Sequence, residues 1–254
     1  MARFHAISFA YKDQKEDEFS QLKNAVTETY VSHKFWDWCK RYNKKLTDIV
    51  IDAISKEYPG SIAQQKYTSI PFGDLYLKGV VLCSRQDAVT SVISQGDAWP
   101  PNFLIRSTDK GEEALMLDFQ MARCASPVLD ISFCLYSCTD KQFRDESFDT
   151  MLKIYYDELA NAITLLGSDP QKLYNWGTFM KEVKEQFFFG MVCACEAVQY
   201  AILEVSEVVD FETLITGDKA LDIVDICFLQ NIKTQAGRRR LADIIVHAVE
   251  KGFL

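Results

Sequence analysis

Three side chains in the middle of the sequence carry oxygen donors at a spacing that could hold a cation. Asp97 and Asn102 stand in Gln95-Gly96-Asp97-Ala98-Trp99-Pro100-Pro101-Asn102, and Asp118 follows in Leu117-Asp118-Phe119-Gln120. Short apolar runs flank them. The β-branched stretch 89–93 reads as a strand, and Phe103-Leu104-Ile105 and Leu115-Met116-Leu117 read as a hairpin turned by Ser107-Thr108-Asp109-Lys110-Gly111. The first strand would deliver Asp97 onto a loop, Asn102 would precede the hairpin, and the second hairpin strand would end at Asp118. Two carboxylates and a carboxamide then meet at the mouth of one small sheet. Magnesium favours such hard oxygen ligands and takes only a few from protein, leaving the rest to phosphates and water. Chemistry at phosphorus asks for positioning and charge neutralisation more than for covalent participation.

The elements around this centre are mostly helical. Residues 2–12 carry Phe4, Ile7, Ser8 and Tyr11 at helical spacing with no capping residue ahead of them. Helical patterning continues over 19–38. Thr47 is read as the cap of a further helix, which Pro59-Gly60 ends. The stretch 61–86 is weakly patterned. Beyond the hairpin, helices are predicted at 129–138, 142–166, 176–205 and 234–251, with Asp169-Pro170 as punctuation. No repeat or low-complexity tract occurs, so one domain over 1–254 is expected, of α+β class, with its reactive loops within 89–130.

Composition narrows the partners. Hydrophobic residues at 48% supply a core, and 28 basic residues against 36 acidic give a formal charge of −8. That balance argues against a nucleic-acid backbone as partner, which needs a concentrated positive face. The one basic run, Arg238-Arg239-Arg240, reads as a solvated helix face. No stretch is long and apolar enough for a membrane span, and nothing at the start reads as a secretory signal. The eight cysteines form no CxxC pair and no zinc spacing. Reduced thiols in a cytoplasmic protein are expected.

The order Asp-x4-Asn, hairpin, Asp-Phe resembles the catalytic and metal-binding loops of kinases. It resembles most the variant of choline kinases and aminoglycoside phosphotransferases, and within that group the ecdysteroid-kinase-like family. The family pattern His-Gly-Asp-x-Trp-x-x-Asn, Asp-Phe-Gln and Ser-Pro-x-x-Asp is matched by Gln95 to Asn102, Asp118 to Gln120 and Ser126 to Asp130. Ala2-Arg3-Phe4-His5-Ala6 also looks like the helix after the hinge between the lobes. The resemblance implies a protein-kinase-like C-terminal lobe. Asp97 would orient the substrate hydroxyl and take its proton, while Asn102 and Asp118 would hold Mg2+ on the phosphates of ATP. Asp130 would brace the catalytic loop and Trp99 would pack beneath it. Gln95 stands where the family has a histidine, a scaffold position that glutamine can serve by hydrogen bonding.

No glycine-rich loop precedes Asp97, so the β-rich N-terminal lobe that covers ATP is expected to be missing. The nucleotide would then rest on one wall only. Two functions follow from the resemblance: a phosphotransferase acting on a small hydroxylated molecule of steroid-like type, truncated in this chain, or a non-catalytic pseudokinase or interaction module. Either leaves an apolar surface near Phe4 for a partner. Against these stand plainer readings: Asp130 as a helix-start acid favoured by the dipole, His5 and His247 as satisfied core or surface histidines, and Phe187-Phe188-Phe189 as helix core.

Overall fold

The computed structural model describes residues 1–109, 111–203, 222–226 and 229–254. Among these residues helices dominate, and four short strands make the fold α+β. Helix α1 (Ala2–Gln14) begins at Met1 without a side-chain cap and buries His5, Ala6 and Phe9. Helix α2 (Glu16–Ala25) follows after one residue and starts with three acids, which suits the positive end of a helix dipole. The predicted continuous helix over 19–38 is interrupted. The chain leaves α2 at Val26, and α3 (His33–Glu57) starts only after extended Ser32. The break is fixed by Glu28, whose Oε1 accepts the N–H groups of Tyr30 and Val31 at 2.8 and 2.6 Å. Thr47 is no cap but sits inside α3, its hydroxyl donating back to the carbonyl of Asn43 at 2.8 Å, a bond that lets threonine live in a helix interior.

Residues 61–86 hold two helices, α4 (Ile62–Ser69) and α5 (Asp74–Cys83), separated at Ile70-Pro71. Ser61 caps the first by accepting from the N–H of Gln64. The strands are β1 (Val92–Ser94), β2 (Phe103–Thr108), β3 (Gly111–Met116) and β4 (Arg123–Ala125). Instead of one small sheet there are two antiparallel pairs, β1 with β4 and β2 with β3. Strand β1 is shifted from the expected 89–93, because Val89 is exposed while Val92 and Ser94 face inward. Strand β4 is three residues long and carries an arginine, too slight a pattern to announce itself.

Helix α6 (Val128–Cys138) leads to the long α7 (Lys141–Leu165), capped by Asp140, and the one-turn α8 (Pro170–Leu173), capped by Asp169. The expected helix over 176–205 divides at Phe187 into α9 (Trp176–Gln186) and α10 (Phe188–Ala201), and Val205 lies outside the described residues. Short α11 (Ile223–Ile226) and then α12 (Gln235–Glu250) come last among the described residues.

The main core joins α1, α3, α6, α7, α10 and α12 through such side chains as Phe9, Tyr42, Ile49, Leu152, Phe187 and Ile244. Full burial of each large apolar side chain contributes about 1.5–3 kcal/mol. Helices α6 and α10 touch backbone to backbone: a Cβ on Gly190 would fall 2.0 Å from the carbonyl carbon of Ser132. The Phe187 to Phe189 run is core, as expected. The arginine run is not a solvated face. Arg238 donates to Glu57 at 2.8 Å, and Arg240 donates to the carbonyls of Tyr136 and Ser137 at 3.1 and 3.0 Å, satisfying the end of α6. The seven described cysteines are free thiols, and Cys227 lies outside the described residues.

Candidate active site

The centre is assembled where the two strand pairs come together. Strand β1 pairs with β4 through Val92 and Ala125, Ile93 and Cys124, and Ser94 and Arg123. Three residues past Ser94 the chain presents Asp97. Between them Gly96 adopts φ +86°, and a Cβ there would lie 1.8 Å from the carbonyl oxygen of Met121. Only glycine allows the loop to pass so close to the segment after Asp118. A single 3-10 turn (Pro100–Asn102) then feeds β2. The Leu117 N–H donates to the carbonyl of Asn102 at 2.9 Å, which carries the hairpin pairing right to the base of the site.

Asp97, Asn102 and Asp118 are drawn to one place by hydrogen bonds. Asn102 Nδ2 donates to Asp97 Oδ2 and to the Asp97 carbonyl, both at 2.9 Å. Buried Gln95 is the bracket: its Nε2 donates to the carbonyls of Leu117 (2.9 Å) and Asp118 (2.8 Å), and its Oε1 accepts the Asp97 N–H (2.7 Å). All its hydrogen-bonding atoms are in use, with donors on one loop-binding side and the acceptor on the other. Asp118 is exposed and holds φ +52°, a backbone state uncommon for a residue with a side chain and frequent at functional sites. Burial pushes the half-buried Asp97 carboxyl above its ordinary value. The Asn102 bond pulls it back and the charge of Asp118 adds to the rise.

Asp130 stands beneath the loop. It is buried in the first turn of α6 and accepts the N–H groups of Gln95 (2.7 Å) and Gly96 (3.0 Å). His5 reaches it from α1 through Nε2 at 3.2 Å, while His5 Nδ1 meets the Tyr155 hydroxyl at 2.7 Å. Burial alone would raise the Asp130 carboxyl. The hydrogen bonds from His5 and the two backbone N–H groups outweigh it, and the carboxyl lies below its ordinary value. His5 is thus a satisfied core histidine that positions the brace. No pattern inside residues 2–12 pairs it with a carboxylate far along the chain.

Two more supports escaped the sequence. Arg123, buried on β4, donates to Glu28 at 2.6 Å and to the Gly96 carbonyl at 3.2 Å. Glu182 on α9 accepts three hydroxyls: Thr90 at 2.6 Å, Ser126 at 2.6 Å and Tyr174 at 2.7 Å. It therefore holds the start of Ser126-Pro127-Val128-Leu129-Asp130 in place. Phe119, beside Asp118, meets Phe4 of α1 edge to face at 5.5 Å. Trp99 packs against the core and also lines a cavity of about 320 Å³ that opens beside Asp97. Among the described residues no group of three His, Cys, Asp or Glu is placed to hold a metal. The set here has a carboxamide as its third member.

A sequence model of the ecdysteroid kinase-like family matches residues 1–168, which contain Gln95, Asp97, Asn102, Asp118 and Asp130. The chain belongs to the ecdysteroid kinase-like family. No curated protein matches it. No solved structure matches it either. Family membership supports a phosphotransferase of kinase type as the general class of activity. No described helix is long and apolar enough to cross a membrane.

Proposed function

We propose that the chain is a kinase-like C-terminal lobe that moves the γ-phosphate of ATP onto the hydroxyl of a small, steroid-like acceptor in the cytoplasm. The carrying observation is the Gln95 bracket, which ties the backbone of Asp97 to that of Asp118 while Asn102 bonds the Asp97 carboxylate. The donor set fits magnesium. Nδ2 of Asn102 is spent on Asp97, which leaves Oδ1 as an oxygen donor, and exposed Asp118 brings a carboxylate. These two would hold Mg2+, which when bound neutralises charge on phosphate oxygens.

The chain's own residues account for the remaining roles. Asp97 faces the cavity, its proton affinity is raised by burial, and the Asn102 bond fixes its rotamer, all of which suit a group that orients an alcohol and takes its proton. Gln95 and Asp130 serve as support, since their bonds run to backbone of the loop. The rival reading as a non-catalytic module drew on the expected lack of an N-terminal lobe and on Gln95 standing in place of histidine. The three bonds made by Gln95 weigh against the second motive and leave the first standing.

Calorimetry of the purified chain with Mg-ATP, alongside phosphate transfer measured with and without an added β-rich kinase lobe, tests the proposal. Asp118→Ala should abolish magnesium-dependent ATP binding. Asp97→Asn should preserve binding and lower transfer by about 10²–10⁴-fold. The 254 residues alone should transfer slowly, with no glycine-rich loop ahead of Asp97 to cover the triphosphate. Binding and transfer indifferent to both substitutions would overturn the proposal.

A further inference from the structure

The cavity beside Asp97 has a second polar pole. Its walls are chiefly apolar and aromatic, from Tyr30, Trp99, Met121, Phe133 and Tyr200, and its volume of about 320 Å³ suits two fused or linked rings. Helix α10 brings Glu196 to the same cavity. Tyr30 and Tyr42 both donate to its Oε1, at 2.9 and 2.7 Å, and the Tyr42 hydroxyl also meets that of Tyr200 at 2.7 Å. No described group donates to Oε2. Burial pushes this carboxyl above its ordinary value, with the two phenol bonds only partly opposing it. Among the described residues Arg123 is the one cation on the wall, and its guanidinium is engaged by Glu28 and the Gly96 carbonyl. An anionic ligand would find no unpaired cation here among the described residues. A cationic one would find a carboxyl already answered by two hydroxyls.

We propose that Glu196 is the specificity-determining residue of this cavity: its Oε2 binds a second hydroxyl or carbonyl of an uncharged, ring-sized alcohol whose first hydroxyl faces Asp97. The orientation rests on the phosphotransfer reading given above, but selection by Glu196 can be read from binding alone. Oε2 of Glu196 can share a hydrogen bond with such an oxygen, and burial, which raises the proton affinity of the carboxyl, favours donation from it, so the polar end of the ligand is satisfied while its rings fill the aromatic walls.

Three compounds test it by calorimetry without nucleotide: bicyclohexyl-4,4′-diol, 4-cyclohexylcyclohexanol and 4′-aminobicyclohexyl-4-ol. The diol should bind about tenfold tighter than the mono-alcohol, the size of one well-placed buried hydrogen bond. The amine should bind more weakly than the diol. Glu196→Leu should bring diol and mono-alcohol to equal affinity, whereas Glu196→Gln, which keeps shape and hydrogen bonding without an ionisable group, should retain the preference. Equal affinity of diol and mono-alcohol in the unaltered protein, or no binding of any of the three, overturns the proposal. So does tightest binding of the amine with that preference lost in Glu196→Gln. Phosphate transfer from ATP to the diol is read separately. Its absence beside an intact diol preference counts against the phosphotransfer reading and not against selection by Glu196.

Discussion

Asp130 shows how one buried carboxylate can set the shape of a loop it never enters. Its two oxygens hold consecutive backbone N–H groups, and His5 secures it from the far side. Removing one partner from such a group leaves the others unsatisfied, so Asp130→Asn should cost about 3–5 kcal/mol at neutral pH by chemical denaturation. The pH dependence has a definite sign. The folded-state value lies below that of the unfolded chain, so the stabilisation is fully present above the unfolded value, about 3.9, and is lost as pH falls toward the folded one. The stability gap between parent and Asp130→Asn should therefore narrow between pH 6 and pH 3, and a gap constant with pH would refute the assignment. At Gln95, alanine loses three hydrogen bonds while histidine keeps a ring donor and acceptor at the same place. Gln95→Ala should destabilise by about 2–4 kcal/mol and Gln95→His by less, measured as denaturation midpoints.

At the scale of elements the site depends on how closely segments approach. Gly96 and Gly190 mark the two tightest places. The first lets the Asp97 loop cross Met121 and the second seats α10 on α6. Gly190→Ala would force backbone apart in the middle of the core, and a stability loss of about 3 kcal/mol or more is expected in thermal unfolding. The order of strand, hairpin and helix that presents Asp97, Asn102 and Asp118 was legible in the sequence, because β-branched and apolar runs are local signals, although the first strand lies at Val92–Ser94 rather than over 89–93. Pairing of β1 with β4, in contrast, joins residues 29 or more positions apart along a buried three-residue strand, and no local pattern specifies that. The helix breaks at Glu28 and Phe187 were hidden for a related reason. Both lie in sequences with good helical periodicity; in one case a carboxylate takes backbone N–H groups, and in the other the division falls at buried Phe187 with no local breaker beside it. His5, Arg123 and Glu182 are ordinary residues in sequence and become part of the site through Asp130, Gly96 and Ser126, 27 or more positions away.

For the molecule as a whole, the net charge of −8 disfavours a free polyphosphate. ATP binding should accordingly require the divalent cation and vanish in excess EDTA, by calorimetry. Undiminished binding under chelation would contradict a magnesium-bridged site. Glu182 adds a consequence of a different kind. Since a single carboxylate receives Thr90, Ser126 and Tyr174, these three hydroxyls share one account of free energy. Loss of one lets the carboxylate settle on the remaining two, so Thr90→Val and Ser126→Ala combined should deviate from the sum of their separate effects by about 0.5 kcal/mol or more in a double-mutant cycle. Substitutions tolerated one at a time at these positions would then be constrained by one another, and the segment leading to Asp130 would drift in sequence only in step with the loop that carries Thr90.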